Sequence, residues 1–327
     1  MLPASDEKIL TSLAALDSFG PGFRFPTRAA ALARPANGTL SGDLWLVGSG
    51  DPELTGATLG QLAHALYSAG LRHVSGGVVG DTSAFDRGWW APGWLHGISR
   101  QFVTRPTALA IDGNSAPGVP ELNAASSLVA SLRALGVRVD GGTKVGQVAS
   151  GMKTLAVVRS DTLAHILSRQ NHGSINFDAE MITKALSVRE DGPGSTATGA
   201  AEIQAWATTE GIAATVRDGS GLSHQDRITT DALVSLLLLA RRGTEGQVFY
   251  ASLPAPGQGT MAGRLAGVPV RAKTGTLFIT PASALSGYVT DAAGRLVAFS
   301  ILSEDLPGSQ AKALEDSIVR ILAAARI

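Results

Sequence analysis

Near its start the chain reads Pro3-Ala4-Ser5-Asp6-Glu7-Lys8, and this stretch predicts the first turn of a helix. Proline and serine commonly stand at helix starts, and the apolar residues that follow recur with helical spacing. The predicted helix covers residues 5–17, because Phe19-Gly20-Pro21-Gly22 ends it. Residues three apart share one face of a helix, so Ser5 and Lys8 are expected to lie side by side.

Ser5 and Lys8 form a Ser-x-x-Lys motif, which offers a nucleophile and its base from one turn. A serine hydroxyl is a weak nucleophile until a base takes its proton, and a lysine serves as that base only when its pKa is lowered towards neutral. An isolated match is more often an ordinary N-cap followed by an exposed lysine. The chain holds two further copies of the motif, Ser150/Lys153 and Ser309/Lys312. The motif therefore needs support from other segments.

Two later segments supply that support. Ser174-Ile175-Asn176 is a Ser-x-Asn triplet, and Lys273-Thr274-Gly275 is a Lys-Thr-Gly triplet; each occurs once in the chain. Ser-x-x-Lys, Ser-x-Asn and Lys-Thr-Gly in this order are typical of active-site serine penicillin-binding enzymes and of class A β-lactamases. Helices are predicted on both sides of the Ser174 segment, over residues 162–169 and 177–188, so the triplet is expected to be held firmly.

Longer stretches around the motifs resemble one family. They are residues 3–11, 42–52, 218–222 and 273–277, which read PASDEKILT, GDLWLVGSGDP, DGSGL and KTGTL. Through them, nearly the whole chain resembles the D-alanyl-D-alanine carboxypeptidases/endopeptidases of the low-molecular-mass class C penicillin-binding proteins, peptidase family S13. The resemblance implies an α+β fold, with a β-lactamase/transpeptidase-like antiparallel sheet, helices on both of its faces and a small inserted α/β domain.

The resemblance also implies a role for each motif residue. Ser5 is expected to attack the substrate carbonyl, with Lys8 as its base and Ser174 passing the proton to the leaving group. Substrate binding is expected of the remaining motif residues, which are Asn176, Lys273, Thr274, Gly275 and Thr276. The backbone N–H groups of Ser5 and Thr276 are expected to bind the oxyanion. A nearby Lys273 would favour a neutral Lys8, because a like charge disfavours the charged form.

The expected substrate is a peptidoglycan peptide ending in D-Ala-D-Ala, and β-lactam antibiotics are the expected inhibitors. A preference between carboxypeptidase and endopeptidase action stays open. Two alternatives also stay open: a β-lactamase-like hydrolase, which would need a dedicated deacylating base, and an inactive truncated fragment. Export in the family implies a periplasmic or extracellular protein. Only four residues precede Ser5, so the chain as given has no signal peptide and is expected to be N-terminally truncated or to have a start codon assigned too late.

The expected domain organisation is a catalytic domain interrupted by an insertion. Residues 1–34 and 118–327 are assigned to the catalytic domain, and residues 35–117 to the inserted domain. The predicted strands of the catalytic sheet are residues 268–274, 277–280, 283–290 and 296–302. Successive strands joined by short turns predict an antiparallel sheet, which the helices before and after it cover.

Composition excludes several other functions. The 327-residue chain has a formal net charge of +0, only 17% charged residues and no basic run, so a nucleic-acid partner is not expected. It has no cysteine, and its six histidines (64, 73, 96, 165, 172 and 224) show no ligand spacing. Neither a metal nor a cofactor is therefore expected. The longest apolar run, residues 233–240, is too short to span a bilayer.

Overall fold

A computed structural model describes residues 1–95, 97, 101–189 and 192–327. Of the six histidines counted above, His96 lies outside these residues. Within the described part of the chain, no helix combines the length and the apolar character that a membrane span requires.

The described residues form helices and strands in a mixed order. The helices are α1 (Glu7–Phe19), α2 (Gly56–Ser68), α3 (Pro120–Ala134), α4 (Leu163–Gly173), α5 (Asn176–Leu186), α6 (Thr196–Thr209), α7 (Thr230–Arg242), α8 (Gly246–Ser252) and α9 (Gly308–Ala324). The strands are β1 (Pro26–Ala31), β2 (Thr39–Leu40), β3 (Leu44–Val47), β4 (His73–Val74), β5 (Val78–Asp81), β6 (Arg138–Val139), β7 (Thr143–Gly146), β8 (Lys153–Arg159), β9 (Ala214–Thr215), β10 (Arg227–Ile228), β11 (Val270–Leu277), β12 (Ala282–Thr290) and β13 (Leu296–Glu304).

Strands β11, β12 and β13 form an antiparallel sheet with helices on both faces. Side chains alternate between the faces of a strand, and β12 follows this rule. Leu285 and Val289 belong to a core that includes Val319 of α9. Tyr288 belongs to the larger core on the opposite face, where its hydroxyl donates a hydrogen bond to the carbonyl of Leu237 in α7 (2.7 Å). Strand β11 lies at the edge of this sheet.

Helix α1 runs through the centre of the larger core. All residues from Glu7 to Leu16 are buried, so the helix is surrounded by protein and is not amphipathic with one exposed face. It contacts α4, α5 and α6. A short 3₁₀ turn, Ala4–Asp6, precedes it and packs on β11 and β12. The central position of α1 brings Ser5 and Lys8 against the sheet.

A second core belongs to a five-stranded sheet with the order β7-β5-β3-β1-β8. Strand β1 pairs antiparallel with β3 and β8, whereas β3, β5 and β7 are parallel. Helices α2 and α3 pack on each other and cover this sheet. Leucines at helical spacing, among them Leu59, Leu62 and Leu66 of α2, are buried in this core.

The predicted domain boundaries, with an insertion over residues 35–117, stay a prediction. We propose to place the insertion at about residues 26–159, because both ends of that range pair in one sheet, β1 with β8. Residues 120–159, predicted as catalytic, contribute α3, β7 and β8 to the second core and its sheet.

The predicted strand over residues 277–280 is wrong. Strand β11 continues to Leu277, and residues 278–281 form the turn into β12. The apolar residues that suggested a strand are Phe278 and Ile279, and their side chains are 73% and 49% exposed. Both line the cleft beside Ser5.

Candidate active site

The three sequence motifs meet in one cleft. Ser5 lies in the turn before α1. Ser174 lies between α4 and α5, and Asn176 is the first residue of α5. Lys273 to Thr276 lie on the edge strand β11. The lining of the cleft includes Ser5, Ser174, Asn176 and residues 274–276. Segments that are about 100 or more residues apart in the chain are thus brought together by the packing of α1 between α5 and the sheet.

The turn that carries Ser5 is held by close backbone contacts. Ala4 is buried and has a φ of 47°, a conformation that is unfavourable for residues other than glycine. A Cβ atom at Gly221 would overlap the carbonyl oxygen of Ala4, and one at Gly275 would lie 2.9 Å from the backbone nitrogen of Ser5. Glycine at these two positions lets the 218–222 loop and β11 approach the turn from two sides.

Lys8 makes three hydrogen-bonding contacts and is fully buried. Its Nζ lies 2.7 Å from Asn176 Oδ1, 2.7 Å from the carbonyl oxygen of Ser220 and 3.0 Å from Ser5 Oγ. A neutral amine has two N–H donors and one lone pair. Because the amide and carbonyl oxygens can only accept hydrogen bonds, they take the two N–H groups. The lone pair is then left for the Ser5 hydroxyl.

Burial lowers the pKa of Lys8 to about 8, although the nearby carboxyl groups of Asp218, Glu180, Asp6 and Glu7 act in the opposite direction. Burial is the largest cause of this shift, and the like charge of Lys273 is expected to act in the same direction. The repulsion between the two ammonium groups is mutual. Burial first, and the charge of Lys8 second, lower the pKa of Lys273 to about 7.

Ser174 hydrogen-bonds to Lys273. The backbone of Ser174 is left-handed, with φ 52° and ψ 42°, where it caps the end of α4. Its Oγ accepts a hydrogen bond from Lys273 Nζ (2.9 Å), which also donates to the carbonyl of Thr274 (2.7 Å). Among the described residues no hydrogen bond joins Ser174 to Lys8. Strained backbone of this kind is often found at functional sites.

The side chains of Asn176 and Thr274 already have partners. Asn176 Nδ2 donates to the carbonyl of Phe102 (3.0 Å), while its Oδ1 accepts from Lys8. Thr274 Oγ1 donates to Thr260 Oγ1 (2.7 Å). Thr276 is only half-buried and lines the cleft.

The structure adds site residues that the motifs do not include. The Ser220 carbonyl binds Lys8, and Thr260 binds Thr274. Two exposed rings, Phe102 and Phe278, stack with their centroids 6.3 Å apart and line the cleft. The Asp218-Gly219-Ser220-Gly221 turn was visible in the sequence, but its role depends on a backbone oxygen, for which no residue type is diagnostic.

One group of side chains outside the cleft has the residue types of a metal site. In the described part of the chain, Glu53, Asp161 and His165 place possible ligand atoms within 4.8 Å of one another. Glu53 is already paired with Arg169 at 3.0 Å. This group belongs to another region and contributes nothing to the cleft beside Ser5.

A serine–lysine pair at the start of a buried helix, beside the edge strand of an antiparallel sheet, is typical of active-site serine penicillin-recognising enzymes. The family model described as the D-Ala-D-Ala carboxypeptidase 3 (S13) family matches residues 1–118 and 119–325. The chain therefore belongs to this family.

Known proteins are similar to this chain in sequence and in structure. The D-alanyl-D-alanine carboxypeptidase of Actinomadura sp. (strain R39) is 28% identical to the chain, over 99% of this chain and 77% of that protein. Penicillin binding protein 4 (dacB) from Haemophilus influenzae has a crystal structure with a TM-score of 0.85 and 23% identity, covering 99% of this chain and 92% of that one. Its complex with a novel β-lactam has a TM-score of 0.79 and 22% identity, with 99% and 91% covered. The predicted family, the α+β fold class and the enzyme class, a D-Ala-D-Ala carboxypeptidase, are confirmed.

Proposed function

We propose that the protein hydrolyses peptidoglycan peptides ending in D-Ala-D-Ala through an acyl-enzyme on Ser5. One observation carries the proposal: the buried Lys8 Nζ has two fixed acceptors and lies 3.0 Å from Ser5 Oγ. This geometry suits a neutral amine that takes a proton from the serine. General bases must be within hydrogen-bonding reach of the proton they remove.

In the first step, Ser5 Oγ forms a bond to the carbonyl carbon of the penultimate D-Ala while Lys8 takes the hydroxyl proton. The developing oxyanion is held by the backbone N–H groups of Ser5 and Thr276. The close approach of Gly275 to the Ser5 nitrogen supports this pairing, because a side chain at position 275 would separate β11 from the turn. Removing one oxyanion donor typically raises the barrier by about 3 kcal/mol.

In the second step, the C–N bond breaks and the terminal D-Ala leaves with a proton on its nitrogen. Ser174 is assigned to deliver that proton. Its hydrogen bond to Lys273 supports the assignment, because Lys273, with its pKa lowered to about 7, can supply and regain a proton near neutral pH. Lys273 regains its proton from Lys8 through solvent, which returns Lys8 to the neutral form. Water then attacks the acyl-enzyme while Lys8 takes a proton from it, and Lys8 gives that proton to Ser5 Oγ as the ester bond breaks.

Binding of the substrate is assigned to β11 and the neighbouring loop. An extended peptide can add to the free edge of a sheet through backbone hydrogen bonds, and β11 is an edge strand. Lys273 and the hydroxyls of Thr274 and Thr276 are assigned to the terminal carboxylate. An arriving carboxylate would raise the pKa of Lys273 and restore its charge. Asn176 is assigned to the acyl-side amide, for which its contact with Phe102 would have to open.

The proposal also implies the location of the protein and its binding partners. Its partners are the peptides of peptidoglycan and β-lactam antibiotics, and its location is the periplasm or the outside of the cell.

The test is acylation by a penicillin, followed by peptide mapping and analysis of products. One adduct on Ser5, released slowly, together with loss of D-Ala from a D-Ala-D-Ala peptide, is expected. Ser5→Ala should abolish both. Ser309→Ala is the matched control, because Ser309 and Lys312 repeat the motif on the exposed surface of α9. Rapid turnover of the penicillin would instead identify a β-lactamase, and an adduct on Ser309 would refute the assignment of Ser5.

A further inference from the structure

The peptide group that binds Lys8 is fixed by two carboxyl groups. The carbonyl of Ser220 accepts from Lys8 Nζ (2.7 Å), and the N–H group of the same peptide unit, on Gly221, donates to Asp218 Oδ1 (2.7 Å). The two preceding N–H groups, on Gly219 and Ser220, donate to a single oxygen, Glu180 Oε1, at 3.0 and 2.9 Å. Asp218 acts from within the loop, whereas Glu180 connects the loop to helix α5.

Helix α5 sets both acceptors of Lys8. Asn176 and Glu180 are four residues apart, so they share a face of the helix. Asn176 binds Lys8 directly, and Glu180 holds the loop whose Ser220 carbonyl is the second acceptor. The loop also lies flat on the helix, because a Cβ atom at Gly219 would overlap the hydroxyl oxygen of Thr183.

We propose that Glu180 is a positioning residue for catalysis, which fixes the Ser220 carbonyl and thereby directs the lone pair of Lys8 at Ser5. The proposal rests on the proposed acylation of Ser5. Among the described residues, Glu180 is not one of those that line the cleft. It acts through the two N–H groups that its Oε1 accepts.

The role requires the length of the side chain, and it does not require a negative charge. Burial and the neighbouring Asp218 raise the pKa of Glu180 to about 8, so the carboxyl group is largely protonated at neutral pH. A glutamine keeps an acceptor oxygen at the same distance from the backbone. An aspartate keeps the carboxyl group but draws it back by one methylene, away from the two N–H groups.

The experiment compares Glu180→Gln with Glu180→Asp by the kinetics of penicillin acylation. A fluorescent penicillin gives the acylation rate constant and the dissociation constant separately, and thermal unfolding reports folding. Mapping of the wild-type adduct to Ser5 comes first, and its failure would overturn the proposed function without involving Glu180. Asp178→Asn is the matched control, because Asp178 is a buried carboxyl group on the same helix that pairs with Arg169 (2.7 Å) and has no hydrogen bond to the loop among the described residues.

Glu180→Asp should lower the acylation rate constant roughly tenfold or more, since small misplacements of catalytic groups have large effects. The dissociation constant should change little. Glu180→Gln and Asp178→Asn should stay within about threefold of the wild-type rate constant. Wild-type acylation by Glu180→Asp, or a tenfold slower rate in Glu180→Gln, would overturn the proposal. If Glu180→Asp fails to fold, the acylation rate constant of Glu180→Gln is the test, and a tenfold slower rate would still overturn the proposal.

Discussion

Acylation of Ser5 should accelerate as the pH rises, because only the neutral form of Lys8 can accept the serine proton. Burial lowers the pKa of Lys8 to about 8. With this pKa, about one tenth of the Lys8 side chains are neutral at pH 7 and about half at pH 8. The acylation rate constant at saturating penicillin should therefore rise about fivefold between these pH values and about twofold further above them.

Two neighbouring groups modify this profile. Burial raises the pKa of Asp6 and of Glu180 to about 8, so both gain negative charge over the same pH range. Their charge favours the ammonium form of Lys8, which should spread the rise over a wider pH interval than a single ionisation would. Lys273 acts on binding. Its pKa is lowered to about 7, so affinity for a carboxylate-bearing ligand should fall as the pH rises.

The two effects separate in a stopped-flow assay. Acylation is measured at several concentrations of fluorescent penicillin at each pH between about 6 and 10. The acylation rate constant and the dissociation constant are fitted at each pH. Lys8→Arg should remove the pH dependence and slow acylation by about 10²- to 10⁴-fold, because guanidinium stays protonated. Lys312→Arg, in the exposed copy of the motif on α9, should behave like the wild type. A rate constant that is flat or falling from pH 6 to pH 10 would refute Lys8 as the base.

Two further substitutions test the neighbouring strand. Lys273→Ala should weaken capture of carboxylate-bearing penicillins about tenfold to hundredfold, with a much smaller effect on a neutral thioester; equal slowing of both substrates would assign Lys273 to proton transfer alone. Gly275→Ala should slow acylation roughly ten- to hundredfold, because its Cβ would lie 2.9 Å from the Ser5 nitrogen. Gly263→Ala, where nothing lies within 4 Å, is its control, and equal acylation rates of the two variants would contradict the role given to Gly275.

The sequence predicts the three-stranded sheet better than the five-stranded one. Strands β12 and β13 were predicted within two residues at each end, because their apolar alternation and the turn at Asp291 to Gly294 are local signals. Strand β1 was not predicted. Its residues Ala29, Ala30 and Ala31 have weak strand propensity, and its place is set by pairing with β8, more than 100 residues later in the chain.

Part of the candidate site is likewise predictable from local sequence, and part of it depends on the fold. The side chains of Ser5, Lys8 and Lys273 stand in motifs that local sequence contains, and the fold brings them together. The second acceptor of Lys8 is a backbone oxygen, and its position follows from a loop, a helix and a glycine that lie close only after folding. Glu180 had one sequence signal, its helical spacing from Asn176, but its partner N–H groups lie 39 and 40 residues away.

The least predictable feature is the burial of three charged residue types where the 3₁₀ turn meets α1. Sequence reasoning expects the polar residues of a helix to face solvent, whereas Asp6, Glu7 and Lys8 are all fully buried. Both carboxyl oxygens of Glu7 are buried without a hydrogen-bonding partner among the described residues, and burial raises its pKa well above the ordinary value. Such groups destabilise a fold unless they are neutral or paired. The same desolvation lowers the pKa of Lys8, so the environment that is unfavourable for stability is the one that suits this lysine to the proposed role of a base.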